Sequence, residues 1–137
     1  MKARVKWTEG NQFIGETDNS HIVIMEASAS KTSAGPSPME MLLMGMGACA
    51  SSDVVSILLK MRQNVDDVTV EMEASRADSI PRVFTNIHVA FTVTGRSVSL
   101  SKAKEAVRLS GEIYCSAPRI LEKYAQITFE TKVIKAP

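Results

Sequence analysis

The sequence predicts an α+β domain whose elements follow the order βββ-α-ββ-αα-β, with antiparallel sheets. Three observations lead to this prediction: short alternating strands in the first third, one long apolar helix in the middle, and two long alternating strands directly after that helix. Because single domains commonly contain about 100 to 150 residues, we expect residues 1–137 to form one domain.

The first third contains three predicted short strands. Apolar side chains alternate with polar ones from Ala3 to Trp7, and this pattern predicts that Trp7 belongs to the core. A glycine–asparagine turn signal leads to a second strand around residues 13–14. Residues 21–25 are rich in β-branched side chains and predict a third strand. The small polar residues at 27–37 predict a loop.

A long helix is predicted at residues 37–60, with the sequence SPMEMLLMGMGACASSDVVSILLK. Its start fits a capping box with proline at the first helical position, in which the Ser37 hydroxyl and the Glu40 carboxylate each accept a hydrogen bond from the other residue's amide. Beyond this start the helix is hydrophobic on every side, which indicates contacts on more than one face. Because the chain has only one Trp, two Tyr and four Phe, we expect a second subunit to cover part of this helix.

Four further elements are predicted from alternating apolar residues and from helical spacing. Serine is a favourable helix cap, and proline suits the first turn of a helix. The elements are a half-buried antiparallel hairpin at residues 67–74 and 83–93, a helix capped by Ser99 or Ser101 and ending at Tyr114, a short helix at residues 116–124 and a final strand at residues 127–134.

The composition argues against two classes of partner. Sixteen Lys and Arg against fifteen Asp and Glu give a formal net charge of +1, and no helix face is strongly basic. We therefore expect neither a nucleic acid nor a membrane as partner. The longest uninterrupted apolar stretch, residues 41–50, is about half of the length that crosses a bilayer. The N-terminus lacks the apolar segment of a signal peptide, so we expect a cytoplasmic protein.

The two cysteines, Cys49 and Cys115, are the main candidate functional residues. In a reducing compartment a cysteine pair is more often catalytic or metal-binding than a permanent disulfide, whereas composition alone favours two unrelated buried thiols. Helical geometry places Asp53 on the face of Cys49, where its charge opposes ionisation of the thiol. Cys115 lies near a helix N-terminus, where exposed amides stabilise a thiolate. Sequence separation does not decide whether the two thiols meet.

Two segments carry these cysteines: SPMEMLLMGMGAC followed by DVVSILL, and YCSAPRILEKYAQI. Together they resemble the osmotically inducible protein C and organic hydroperoxide resistance (OsmC/Ohr) family, and within it the YhfA-like branch. The family pattern is a helix start of the type Pro-x-Glu-x-Leu, a run of small residues into a first cysteine, and a second cysteine at the entry to the last helices. The matching positions are Pro38, Glu40, Leu42, Cys49 and Cys115. The resemblance covers essentially the whole chain.

This resemblance implies an OsmC-like fold in an intertwined homodimer, with the central helix pair packed between sheets. It also implies a thiol-dependent peroxidase of the oxidative stress response that reduces organic hydroperoxides. Cys49 would become a sulfenic acid, and Cys115 would condense with it to a disulfide that a dithiol, such as a lipoylated protein, then reduces. Glu40 is the third candidate catalytic residue. No cofactor and no metal ion is implied.

The chain departs from the peroxidase pattern in the groups that activate the cysteine. Peroxidase members place a glutamate directly after the helix-start proline and an arginine in the N-terminal region, and these form a charged pair over the reactive thiol. Here Met39 occupies the glutamate position, no arginine lies between Arg4 and Arg62, and the loop offers only Lys31. Lysine lacks the planar fork of arginine and is not an equivalent replacement.

Glu40 has a sufficient structural role as a helix cap. Helix geometry places it about 13 Å along the axis from Cys49 and on the opposite face, so it cannot contact Cys49 of the same helix. Arg119, one turn past Cys115, is the best candidate for a cation near either thiol.

Two other functions remain open at this stage. The first is an OsmC-like dimer without peroxidase activity that binds a small apolar or thiol ligand beside the cysteines, and the missing charged pair supports it. The second is a zinc site built from Cys49, Cys115, His21 and His88, although none of their spacings matches a zinc motif.

Overall fold

The structure is a computed structural model that describes residues 1–27 and 33–137. It has the predicted α+β class and the predicted element order. The described residues form two compact units, Met1–Met44 and Gly45–Pro137, which we describe separately. The elements are β1 (Ala3–Glu9), β2 (Gln12–Thr17), β3 (Ile22–Glu26), α1 (Pro38–Lys60), β4 (Asn64–Arg76), β5 (Phe84–Arg96), α2 (Leu100–Leu109), a π-helical turn (Ser110–Tyr114), α3 (Ser116–Leu121) and β6 (Gln126–Lys135).

The first unit contains the antiparallel sheet β1-β2-β3 and the start of α1. The prediction that Trp7 lies in the core is wrong for this chain, since its side chain is 63% exposed. The physical reason is that β1 is an edge strand with all seven residues exposed. The indole Nε1–H of Trp7 instead donates a hydrogen bond to the carbonyl of Gly10, at 2.8 Å.

The capping box at the start of α1 is present as predicted. The amide of Ser37 donates to Glu40 Oε1 at 2.9 Å, and the amide of Glu40 donates to Ser37 Oγ at 3.1 Å. The backbone hydrogen bond from Ser37 is the main cause that lowers the pKa of the Glu40 carboxyl. Lys31, the cation that the sequence offers in the preceding loop, lies outside the described residues.

The second unit contains the sheet β4-β5-β6. Strands β4 and β5 form the predicted antiparallel hairpin, whereas β6 pairs with β5 in parallel. The buried side of β5 supplies much of the core, together with one stripe of α1 and one face of α2. The core residues of these three elements are Ile87, Val89, Phe91 and Val93 of β5, Met46, Ala50, Val54 and Leu58 of α1, and Ala103, Ala106 and Val107 of α2.

Only one stripe of α1 is buried, although the helix is apolar on every side. An 18-residue window of α1 has a mean hydropathy of 1.7, which is long and apolar enough to cross a membrane, but core helices of soluble proteins pass the same test. Gly47 lies on the buried stripe, where a Cβ would stand 2.6 Å from the terminal methyl of Met72. This glycine therefore lets α1 approach β4 closely.

The helical segment before Cys115 differs from the sequence prediction in one respect. Ser99 caps α2 by accepting a hydrogen bond from the amide of Lys102, as predicted. The last turn before Cys115 is π-helical, because the amide of Cys115 bonds to the carbonyl of Ser110 rather than to that of the residue four positions back. The short helix α3 ends at Leu121 instead of residue 124, since its last residues close a tighter turn.

We expect Gly95→Ala to destabilise the protein by about 1 to 3 kcal/mol, the usual range for overpacking. A Cβ at Gly95 would overlap the backbone carbonyl of Asn64, which is held in the β4–β5 hairpin and cannot rotate away. The exposed strand residue Glu71 provides the control, since Glu71→Ala should change the free energy of unfolding by no more than about 0.5 kcal/mol. Urea unfolding of the three proteins measures the difference, and equal midpoints for Gly95→Ala and wild type would contradict the prediction.

Candidate active site

Cys49 is positioned by the central part of α1. It is half-buried, and it lies one helical turn from Asp53 on the same face of the helix. The residue that follows it, Ala50, belongs to the buried stripe of α1. The thiol therefore lies at the border between the buried stripe and the accessible side of this helix.

Cys115 is positioned by the junction between the π-helical turn and α3. It is 4% exposed and has extended backbone angles, so it forms the N-cap position of α3. The π-helical turn is tied to α1 by the buried hydroxyl of Ser110, which donates a hydrogen bond to the carbonyl of Ala50 at 3.2 Å. This bond attaches the segment before Cys115 to the residue next to Cys49.

The structure brings the two thiols together. Cys115 Sγ donates a hydrogen bond to Cys49 Sγ, with 2.8 Å between the sulfur atoms. Both residues are free thiols, and this separation exceeds the length of a disulfide bond, about 2.05 Å. Two residues 66 positions apart in the chain therefore form one dithiol.

The expectation that a helix N-terminus makes Cys115 the more ionisable thiol is wrong. Burial raises the pKa of Cys115 to about 12, and its hydrogen bond with Cys49 contributes in the same direction. The backbone hydrogen bond at Ala117 lowers that pKa, as a helix N-terminus should, but it is the smaller effect, and the nearby charge of Asp53 raises the pKa further. Cys115 therefore keeps its proton at neutral pH and acts as a donor toward the sulfur of Cys49.

Asp53 completes the group around the dithiol. One of its carboxylate oxygens and the two sulfur atoms all lie within 4.8 Å of one another. Within residues 1–27 and 33–137, this carboxylate makes no hydrogen bond and no ion pair. Helical geometry predicted its place beside Cys49, but only the tertiary structure shows that it also faces Cys115.

Glu40, the third candidate catalytic residue, and Arg119, the candidate cation, both have partners outside the cysteine cluster. Glu40 lies in the first unit, where its carboxylate caps α1 through Ser37. The suggestion that Arg119 supplies a cation to a thiol is wrong, because its guanidinium donates to the carboxylate of Glu122 and to the backbone carbonyl of Glu112. An arginine at a helix end satisfies nearby carbonyl and carboxylate groups first.

The predicted histidine ligands of a zinc site also lie elsewhere. The ring nitrogens of His88 contact Thr128 Oγ1 at 2.7 Å and Glu130 Oε2 at 3.0 Å, both on the neighbouring strand β6. His21 belongs to the first unit, just before β3. His88 is therefore occupied by partners on β6, and the cysteine cluster found among the described residues contains Asp53 and no histidine.

A cavity of about 370 Å³ opens beside the dithiol. Its wall combines an apolar surface with two charged side chains, and two of its members adjoin the cysteine cluster: Asp53 belongs to the cluster, and Tyr114 directly precedes Cys115. No sequence pattern predicts that Leu109 and Lys60 line the same cavity, because they come from different helices. The lining residues are Asp53, Ser56, Ile57, Lys60, Met61, Leu109 and Tyr114.

Alkylation with iodoacetamide tests whether the two thiols differ in reactivity, as their burial and protonation predict. At neutral pH we expect Cys49 to react first, because it is half-buried, whereas Cys115 is buried and protonated. In Cys49→Ser, the rate of Cys115 alkylation should still rise with pH above neutrality, because burial, the main cause that raises the pKa of Cys115, remains. Mass spectrometry of peptides separates the two sites. Equal rates at both thiols at neutral pH would contradict the assignment.

Similarity to known proteins identifies the family of this chain. The OsmC-like protein family matches residues 30–130. Protein YhfA of Escherichia coli K12 is 45% identical over 136 residues, which cover 99% of this chain and 100% of YhfA. An OsmC-like protein from Mycoplasma pneumoniae has a TM-score of 0.85 at 15% identity and covers 97% of this chain and 96% of its own. An organic hydroperoxide resistance protein from Legionella pneumophila has a TM-score of 0.70 at 15% identity and covers 97% of this chain and 98% of its own. At 15% identity, the likeness to these two structures shows the fold alone. By its sequence, this chain belongs to the OsmC-like family.

Proposed function

We propose that this protein is a thiol peroxidase that reduces organic hydroperoxides with Cys49 and Cys115. The observation that carries the proposal is the 2.8 Å separation of the two sulfur atoms, one on an accessible helix face and one buried. Two thiols this close can form a disulfide with little backbone movement, which a two-cysteine peroxidase requires. The organic hydroperoxide resistance protein of Legionella pneumophila shares the fold and gives the substrate class.

In the first step, the Cys49 thiolate attacks the terminal oxygen of a hydroperoxide ROOH. The O–O bond breaks, a Cys49 sulfenic acid forms, and the alcohol ROH leaves after its oxygen takes up a proton. The sulfur is oxidised by two electrons, and the peroxide is reduced by two. The Cys115 thiol holds a proton 2.8 Å from the attacking sulfur, so it stabilises the negative charge of the Cys49 thiolate by a hydrogen bond.

In the second step, Cys115 condenses with the sulfenic acid. The S–O bond of Cys49 breaks as the S–S bond forms, and the hydroxyl group leaves as water with the proton from the Cys115 thiol. The raised pKa of Cys115 keeps this thiol protonated until the step in which its proton is used. An external dithiol, such as a lipoylated protein, then reduces the disulfide by two thiol–disulfide exchanges.

The proposed site lacks an arginine partner for its reactive thiol. Among the described residues, no Lys or Arg forms a hydrogen bond with either sulfur atom, and Met39 stands where peroxidase members have a glutamate. A thiolate without a neighbouring cation is less stabilised. We therefore propose that the dithiol hydrogen bond replaces part of the missing charge and that catalysis is correspondingly slow.

The cavity beside the dithiol supports a substrate with an apolar body. Its apolar wall includes Ile57, Met61 and Leu109, which suits an alkyl or aryl hydroperoxide better than hydrogen peroxide. Tyr114, at the edge of this wall, lies next to Cys115 in the chain. In this proposal the organic group occupies the cavity, and the peroxide group reaches Cys49.

We also propose that the working form is a homodimer. Each unit leaves large apolar side chains exposed, and a second copy could cover them. In the first unit these include Val5, Trp7, Ile22, Leu42 and Met44, and in the second Leu59, Ile113, Tyr114, Ile120 and Tyr124. A second copy that covers the apolar sides of α1 would remove much of this surface from water.

A second candidate function is supported by the lack, among the described residues, of a Lys or Arg bonded to either sulfur atom. An OsmC-like protein without peroxidase activity would bind a small apolar or thiol ligand in the cavity of about 370 Å³ beside the cysteines. The high pKa of Cys115 agrees with a dithiol that is buried but inert. This candidate predicts ligand binding without oxidation of either thiol.

Peroxide consumption distinguishes the two functions. Purified protein with cumene hydroperoxide and dihydrolipoamide should consume peroxide catalytically, and Cys49→Ser should reduce the rate to the background. Cys115→Ser provides the matched variant: it should still form a Cys49 sulfenic acid, which dimedone traps, but should form no intramolecular disulfide. If wild type consumes no peroxide while both thiols stay reduced, the peroxidase proposal is wrong and ligand binding is favoured.

Glu40→Gln belongs in the same assay, because glutamine retains the cap at Ser37 but removes the charge. We expect unchanged turnover. Lost turnover with unchanged stability would assign Glu40 to the chemistry.

Sedimentation of the purified protein tests the dimer. We expect twice the 14.9 kDa mass of one chain at micromolar concentration, because the exposed apolar surface favours association. A species of one-chain mass that remains folded by circular dichroism would contradict the proposal.

A further inference from the structure

The cysteine cluster contains three groups that commonly bind metal ions. The sulfur of Cys49, the sulfur of Cys115 and a carboxylate oxygen of Asp53 lie within 4.8 Å of one another. Cys49 and Asp53 are one turn apart on α1, and Cys115 is fixed between the π-helical turn and α3. Cys49 and Asp53 are therefore held by one helix, and Cys115 is held between two helical segments.

Peroxidase chemistry does not explain Asp53. A carboxylate beside a reactive thiol disfavours the thiolate, and the steps described above give Asp53 no proton to transfer. Its carboxylate is half-buried and has neither a hydrogen bond nor an ion pair among the described residues. The two neighbouring thiols bring no positive charge to this carboxylate, whereas a cation bound at the cluster would be attracted by it.

We infer that Cys49, Cys115 and Asp53 form a binding site for Zn²⁺. Thiolate and carboxylate are zinc ligands, and three protein ligands with an open fourth position match the usual tetrahedral coordination. Binding converts both thiols to thiolates and releases two protons, so charge and atoms balance without any redox change. The inference is independent of the proposed peroxidase function, since it needs only the reduced dithiol and Asp53.

A small rearrangement accompanies binding. Two sulfur atoms on one tetrahedral zinc ion, each about 2.3 Å from the metal, are about 3.8 Å apart. The sulfur atoms of Cys49 and Cys115 are 2.8 Å apart, so they must separate by about 1 Å, which rotation of one side chain provides. Because Cys49 borders an accessible helix face, the open coordination position can receive water or a small ligand.

Zinc titration of the fully reduced protein tests this site, with free metal measured by competition with a chromogenic chelator. We expect one Zn²⁺ per chain in the wild type and loss of binding in Cys49→Ser and in Cys115→Ser. Asp53→Asn keeps the shape of the side chain and should weaken binding by at least about tenfold, the loss that even outer-shell substitutions cause. Asp66→Asn is the control, because Asp66 is an exposed carboxylate outside the cluster and should leave the affinity unchanged.

A second measurement does not depend on the variants. Cd²⁺ added to the wild type should produce the ultraviolet charge-transfer absorbance of two thiolate–metal bonds per chain. Equal zinc affinity in Asp53→Asn and wild type would overturn the site, as would absorbance from fewer than two thiolates or a wild type that binds no zinc. These outcomes do not depend on peroxide consumption, so failure of the zinc site and failure of the peroxidase are separate results.

Discussion

The hydrogen bond from the Cys115 thiol to the Cys49 sulfur is the interaction on which the site depends. It exists only because α1 and the end of the π-helical turn meet at one place, and the buried Ser110 hydroxyl holds them there through the carbonyl of Ala50. A buried hydroxyl that lost this acceptor would be unsatisfied, at a cost of about 1 to 3 kcal/mol. The same contact therefore contributes to stability and ties the segment before Cys115 to the residue next to Cys49.

The π-helical turn explains how the buried Cys115 comes to lie next to Cys49. A regular α-helix from Ser99 to Tyr114 would give Cys115 a different rotation about the helix axis. One wider turn, closed by the amide of Cys115 on the carbonyl of Ser110, changes the direction in which the chain leaves the helix. Single π-helical turns of this kind occur frequently at functional sites. Here the turn ends directly at the buried member of the dithiol.

The two thiols differ because their surroundings differ. Cys115 is enclosed, and burial outweighs the stabilisation that the start of α3 gives to a negative charge. Cys49 lies on the border of the buried stripe of α1, and its sulfur accepts the hydrogen bond that the Cys115 thiol donates. A pair of identical groups can thus have separate roles, a donor and an acceptor, without a neighbouring arginine. The charge of Asp53 acts against ionisation of Cys115.

Local patterns and short motifs are sufficient to predict the fold class, the order of the elements, the capping box of α1 and the family. Alternation along β5 and helical spacing in α2 depend on neighbours in the chain, so they were predicted correctly. The exposure of Trp7 was not predicted correctly, because it depends on whether another layer covers an edge strand.

The folded structure was needed to show that Cys49 and Cys115 meet, that Asp53 faces both, and that Arg119 is held by Glu122 and a carbonyl. The pKa of Cys115 shows the reason most clearly. A helix N-terminus can be read from the residues around it and predicts a thiolate. Burial comes from segments distant in the chain, and it is the larger effect.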